Sequence, residues 1–258
     1  MIQNDEVKSL AKSGESSIDL DANSKRRMTI GEVLSQAFKI YLGNPIIIIP
    51  SLIPMIWLIF GSIFFFAGFS GLLFFDISGI VASAFLLFLA LYIILFFVLF
   101  ILAEGITIIM IRDAFQGEDV DLGRAGVSSK NRLSALVMAS IISVFLLIIG
   151  YVLFIIPGLI LTLFFYFLAQ AIILDGTSSL KAFTASYKFV LRELSDSIVI
   201  VIISFVIGVV LPLVPYVGFI LSLLSIPYIY GIATLFYIDR KEVSEKDKPY
   251  RVVSLNID

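Results

Sequence analysis

Glu104 is the one side chain ionisable at neutral pH in the 35 residues between Asp76 and Arg112, within the stretch FILAEGITIIMIRD (100–113). A carboxylate among Ala, Gly, Ile and Leu can bind a cation or a hydrogen-bond donor, or hold a proton, and each use needs partners at its own depth. Thr107, three residues on, shares its helical face, and Ala103 and Gly105 are small enough to let a second helix approach. In the apolar run that precedes Asp175 the strongly polar side chains are Tyr166 and Gln170. Gln170, five residues before that aspartate, falls at a depth similar to Glu104. Glu104, Thr107, Tyr166 and Gln170 are therefore the candidate lining of one polar cavity. Taken alone, Gln170 reads as an interhelical hydrogen bond that holds a bundle together.

The same inventory argues against catalysis. Cysteine and histidine are absent, which removes thiol chemistry, the commonest general base and the paired histidines of a metalloprotease site. Asp76 and Glu104 lie about 42 Å apart along a helix, too far for an aspartyl dyad. No lysine lies within an apolar run to activate a serine, and no glycine-rich phosphate loop follows a strand. The expectation is a non-enzymatic protein without metal, cofactor or nucleic-acid partner. Asp76, in a loop, reads as a solvated acid.

The elements that must position these residues are membrane helices. Hydrophobic residues make up 60% of the 258 and charged residues 15%, with a mean hydropathy of +1.08, far from the balance of a soluble domain. Uncharged runs cover residues 40–75, 77–103, 133–174 and 197–238. About 20 helical residues cross a bilayer core, so each of the last two runs should hold two spans. Turn residues divide them, with Pro157-Gly158 and the pair Pro212 and Pro215 as the breaks, and Pro50 and Pro54 expected to kink the first span. The predicted spans are 45–68, 80–103, 133–156, 159–174, 197–211 and 217–238, the second with a helical extension toward Arg112. Residues 1–28 form a polar, disordered tail without the apolar segment of a cleavable signal peptide, and 239–258 form a second tail. All 18 Lys and Arg fall on one side of this six-span arrangement, which places both termini in the cytoplasm.

Each pair of spans is preceded by an amphipathic stretch on the basic side. The first, TIGEVLSQAFKIYLGNP (29–45), opens with a capping-box pattern of Thr29 and Glu32. The third, TSSLKAFTASYKFVLRELSD (177–196), gathers Leu180, Phe183, Tyr187, Val190 and Leu191 on one face. The second, DLGRAGVSSKNR (121–132), is more polar. Aligning Phe38-Lys39 with Tyr187-Lys188 sets Leu34 over Phe183, Ser35 over Thr184 and Leu42 over Leu191. The fold class is thus all-α, with three hairpins, each preceded by a cytoplasmic amphipathic helix that packs under the bundle or contacts lipid.

The strings TIGEVLSQAFKIYLGNP and PGLILTLFFYFLAQAIILDGTSSLKAFTASYKFV (157–190), with the Pro-Gly turn and the aromatic-basic pair of Ala185-Ser186-Tyr187-Lys188, carry a resemblance. The chain resembles the membrane domain associated with glycerophosphoryl diester phosphodiesterases and related six-span proteins of bacteria and archaea. The likeness covers roughly residues 29–239 and implies architecture and a membrane location. It supplies no catalytic residues, and the tails leave no room for the phosphodiesterase domain.

Counting inward from Ile80 puts Glu104 at the inner boundary of its span, where the expected arrangement is an ion pair with a lysine or arginine of an interfacial helix. It becomes a cavity residue if Gln170 faces it. Three functions fit. The first is handling of lipids or hydrophobic small molecules, or organisation of the membrane. The second is a transporter or channel with a cytoplasm-facing polar cavity at Glu104, and the third is an anchor or assembly subunit for a protein partner. Membrane lipids are the expected partners; the sequence names no protein partner or homo-oligomer.

Overall fold

The computed structural model describes residues 27–74 and 79–246, so Asp76 and both tails lie outside the described residues. Every regular element among these is helical: α1 (Ile30–Gly43), a 3-10 turn (Pro45–Ile48), α2 (Ile49–Phe74), α3 (Gly79–Gln116), α4 (Leu122–Leu153), α5 (Ile155–Phe165), α6 (Leu168–Asp175), α7 (Ser179–Arg192), α8 (Leu194–Val210), a second 3-10 turn (Leu211–Leu213) and α9 (Gly218–Lys246). Six segments are long and apolar enough to cross a membrane: Pro45–Gly71, Gly79–Gln116, Leu122–Leu153, Ile155–Asp175, Leu194–Leu213 and Ile220–Val243. The fold defines an integral membrane protein.

Local chemistry accounts for most boundaries. The Thr29 hydroxyl accepts from the Glu32 N–H at 3.2 Å, and the Glu32 carboxylate accepts from the Thr29 N–H at 2.6 Å, closing the capping box that starts α1. Asp121 caps α4 by accepting from the Arg124 N–H. Gly176 ends α6 with φ +66, and Arg132 Nη1 donates to its carbonyl at 2.9 Å.

Two sequence expectations are corrected. The stretch 121–132 is no separate helix. It forms the first turns of the 32-residue α4, because Asp121 caps the helix and no proline separates these turns from the span that follows. The turn before α5 falls at Phe154, in extended backbone (φ -163, ψ 154), and not at Pro157-Gly158. Pro157 instead occupies the first turn of α5, where an N–H would lack a partner in any case. Gly158 serves packing, since a Cβ there would meet the Tyr151 ring at 2.4 Å.

The core is concentrated at one end. α9 is the central helix: residues 231–238 are all buried, and it touches α1, α3, α6 and α8. Phe167, Phe189, Phe236 and Tyr237 form an aromatic cluster with centroid separations of 4.6 to 6.2 Å. Beside it, Arg240 pairs with Asp239, with Asp196 at 2.8 Å and with Glu193 at 3.7 Å; Glu193 also receives Arg27 at 3.4 Å and Arg192 at 3.2 Å. Arg112 and Arg124 share Asp113, and Lys241 pairs with Asp175. These contacts tie α3 to α4 and, separately, α6 and α8 to α9, and together they make up a charged layer, the basic end.

Helices α1 and α7 meet this layer in matching ways. Val33, Ala37 and Ile40 are buried in one, and Ala182, Ser186 and Phe189 in the other. Phe38 and Leu42 are 50% and 62% exposed, and Tyr187 and Leu191 are 45% and 47% exposed, next to Lys39 and Lys188. The alignment drawn from Phe38-Lys39 and Tyr187-Lys188 therefore matches residue burial along both helices except where half-buried Tyr41 meets buried Val190.

Candidate functional site

Glu104 lies eight residues before Arg112, about 12 Å along α3 from the charged layer. The segment between them is buried, and it is tight because Gly105 admits the neighbouring helices: a Cβ there would lie 2.3 Å from Ser129 Oγ, 3.1 Å from Leu136 and 3.3 Å from Ile173. The second and fourth spans do touch, through α3 and α6.

The expected ion pair at Glu104 does not form. No lysine or arginine among the described residues pairs with it, and it accepts no hydrogen bond there. Arg27, Arg112, Arg124, Arg192, Arg240 and Lys241 are committed to Asp113, Asp175, Glu193, Asp196 and Asp239. Glu104 instead separates two cavities. The smaller, about 40 Å³, lies between α2, α3 and α9 and is lined by Ser51, Phe100, Glu104, Thr107 and Tyr230 among others. The larger, about 300 Å³, lies between α3, α4, α5 and α6, with Phe100, Glu104, Ser140, Ser143, Thr162 and Tyr166 on its wall.

The four predicted site residues are thus divided. Glu104 and Thr107 share the small cavity, and Thr107 satisfies itself by donating to the Ala103 carbonyl at 2.8 Å. Glu104 and Tyr166 share the large one. Gln170 is 2% exposed, lines neither, and leaves its Oε1 without a hydrogen-bond partner. Neither the cavity shared by all four nor the interhelical bond from Gln170 Oε1 is present.

Tyr166 owes its position to a break. The expected fourth span, 159–174, is interrupted at Tyr166 and Phe167 between α5 and α6. The freed Phe164 carbonyl accepts from Ser186 Oγ of α7 at 2.6 Å, so the interruption is satisfied by another helix. Phe167 fills the aromatic cluster, and the turn directs the Tyr166 hydroxyl toward Ser204 of α8 without reaching hydrogen-bond geometry. No proline or glycine stands at 166–167, so the sequence held no signal for this break. Nor did it single out Ser140, Ser143, Thr162 or Tyr230, which are inconspicuous in apolar runs.

The large cavity extends away from the basic end. On α3 it follows Phe97, Phe100, Ile101 and Glu104, and on α4 it runs from Leu136 to Leu147, roughly 16 Å of helix. Val144 and Leu147 are shared with a groove of about 440 Å³ lined also by Ile148, Tyr151 and Val152, on the exposed apolar surface. Toward the basic end the packing around Gly105 closes it. The large cavity at Glu104 does not open toward the basic end.

No family model, curated protein or solved structure matches the chain. Fold and site together define a six-span integral membrane protein with a carboxylate at the closed end of a largely apolar cavity.

Proposed function

We propose that this protein is a non-enzymatic handler of membrane amphiphiles, which enter the large cavity sideways from the bilayer and place a polar end at Glu104 and Tyr166. One observation carries this reading: the cavity at Glu104 is continuous in its lining, through Val144 and Leu147, with an apolar groove on the surface that lipid would cover. Its volume of about 300 Å³ falls at the small end of ordinary ligand sites. In this proposal the chain sits in the cell membrane with both termini in the cytoplasm, as three hairpins, with α1 and α7 lying in the inner interface. The matched exposed stripes, Phe38 with Leu42 and Tyr187 with Leu191, each beside a lysine, support that placement. The resemblance to the membrane domain associated with glycerophosphoryl diester phosphodiesterases is consistent with it.

Native mass spectrometry of protein extracted in mild detergent tests the function. Retained amphiphile is expected, and Leu147→Trp, which fills the cavity mouth, should remove it; wild-type protein that carries none and shows no preference on re-addition refutes the proposal. Orientation is tested by single cysteines, since the chain has none of its own. Cysteines at Ser70 and Leu213 should react with an impermeant thiol reagent applied outside, and one at Glu118 should not.

A further inference from the structure

The lining of the large cavity carries one carboxylate and no cation, and this selects the polar end of its ligand. Ser143 Oγ donates its proton to the Ala139 carbonyl at 2.7 Å, and Thr162 Oγ1 donates to the Gly158 carbonyl at 2.9 Å and pairs with the Tyr151 hydroxyl at 2.9 Å, so neither hydroxyl has a proton left for a ligand. Glu104, as a carboxylate, only accepts, and it has neither ion-pair nor hydrogen-bond partner among the described residues. Tyr166 lines the same wall, with its buried hydroxyl turned toward Ser204 of α8. No lysine or arginine lines either cavity that Glu104 borders. A phosphate or carboxylate head would therefore meet a carboxylate with no cation to offset it. An ammonium head brings N–H donors and the missing positive charge, and its bond to a carboxylate is the strong, charge-assisted kind.

We propose that the cavity bounded by Glu104 and Tyr166 takes the amine head of a long-chain cationic amphiphile, with the chain lying in the groove formed by Val144, Leu147, Ile148 and Val152. This deepens the lateral-entry reading above and rests on it. The head sits at the closed end because Glu104 is there, and the tail leaves through the only part of the lining that is exposed and apolar among the described residues.

The experiment is saturable binding of radiolabelled tetradecylamine to the purified full chain in phosphatidylcholine nanodiscs, with unlabelled tetradecylamine, tetradecanol, myristate and ethylamine as competitors. Displacement by tetradecylamine should be at least about tenfold stronger than by any of the others, as expected of a hydrogen bond to a charged group. Glu104→Gln, matched in size and checked for an unchanged thermal transition, should weaken amine binding by about tenfold or more and leave tetradecanol displacement unaltered. Leu147→Trp should reduce binding of every long chain. Equal competition by tetradecanol or myristate, or full amine binding in Glu104→Gln, overturns the amine head while the cavity stands. Ethylamine competing as well as tetradecylamine overturns the amphiphile. Absence of saturable binding by all three long chains overturns this inference and the lateral-entry site together.

Discussion

The two ends of helix α3 differ sharply in burial. From Ile101 to Asp113 only Leu102, Glu104 and Arg112 are not buried, whereas residues 79–100 include no buried side chain at all. The matching part of α2, residues 58–71, buries only Gly61, against Tyr92. There, α2 and α3 hold one another by a few aromatic contacts, Trp57 on Tyr92 and Phe65 on Phe85, and present the rest outward. Helix-forming residues supply both halves, so propensity does not separate them. What differs is side-chain size and polarity at the contacts. The basic half sets Gly105, Ala125, Ser129, Ala139, Ala171, Ala182 and Ser186 where several helices meet, whereas small residues of the far half such as Gly61 and Gly68 meet only the rings of Tyr92 and Phe85, and the Phe, Leu and Ile around them face outward, where lipid solvates them as readily as protein does. Glu104 stands where the dense half gives way to the open one.

This comparison can be broken by substitution. The largest effect is expected in the aromatic cluster: Phe167→Ala should cost about 3–5 kcal/mol, read by reversible unfolding in mixed micelles, because its neighbours on α7 and α9 cannot collapse into the gap. Arg240→Met should cost about 3 kcal/mol or more by leaving buried Glu193 and its acidic neighbours short of a cation, and Glu193→Gln in the same chain should recover part of the loss. Gly105→Val should cost about 1–3 kcal/mol through overpacking against Ser129, Leu136 and Ile173. Phe64→Ala, on the open half and 67% exposed, should change stability by no more than about 0.5 kcal/mol. Should Phe64→Ala prove as damaging as Phe167→Ala, the open half is covered by another chain and not by lipid, and a change of oligomeric state on sedimentation would accompany it.

Much of this was legible in the residues. Hydropathy and run length set the number of spans, Thr29 with Glu32 announced a cap, and the pairing of Phe38-Lys39 with Tyr187-Lys188 put α1 and α7 in a common register, although the face gathering Leu180, Tyr187 and Leu191 is exposed. These are local or compositional properties that act before any long-range contact forms. Candidate site residues fared unevenly. Glu104 was visible as a lone charge, and Gly105 as the residue that would admit a second helix. The break at Tyr166 was invisible, since it is imposed by Phe167 entering an aromatic cluster assembled from α7 and α9. The partition of Glu104, Thr107, Tyr166 and Gln170 between two cavities and no cavity was likewise hidden, because residues at equal depth on different helices can face in any direction.

The sequence by itself determined a six-span, all-helical membrane protein, because the solvation of apolar side chains and of the backbone in lipid depends on run length and composition. Only the tertiary structure decided that Glu104 lacks a cation, that its cavity is closed at the basic end and that its mouth lies among apolar side chains. Those outcomes depend on which helices meet and at what rotation, and that is set by the packing of small residues such as Gly105 and Ser129 against partners far away in the chain.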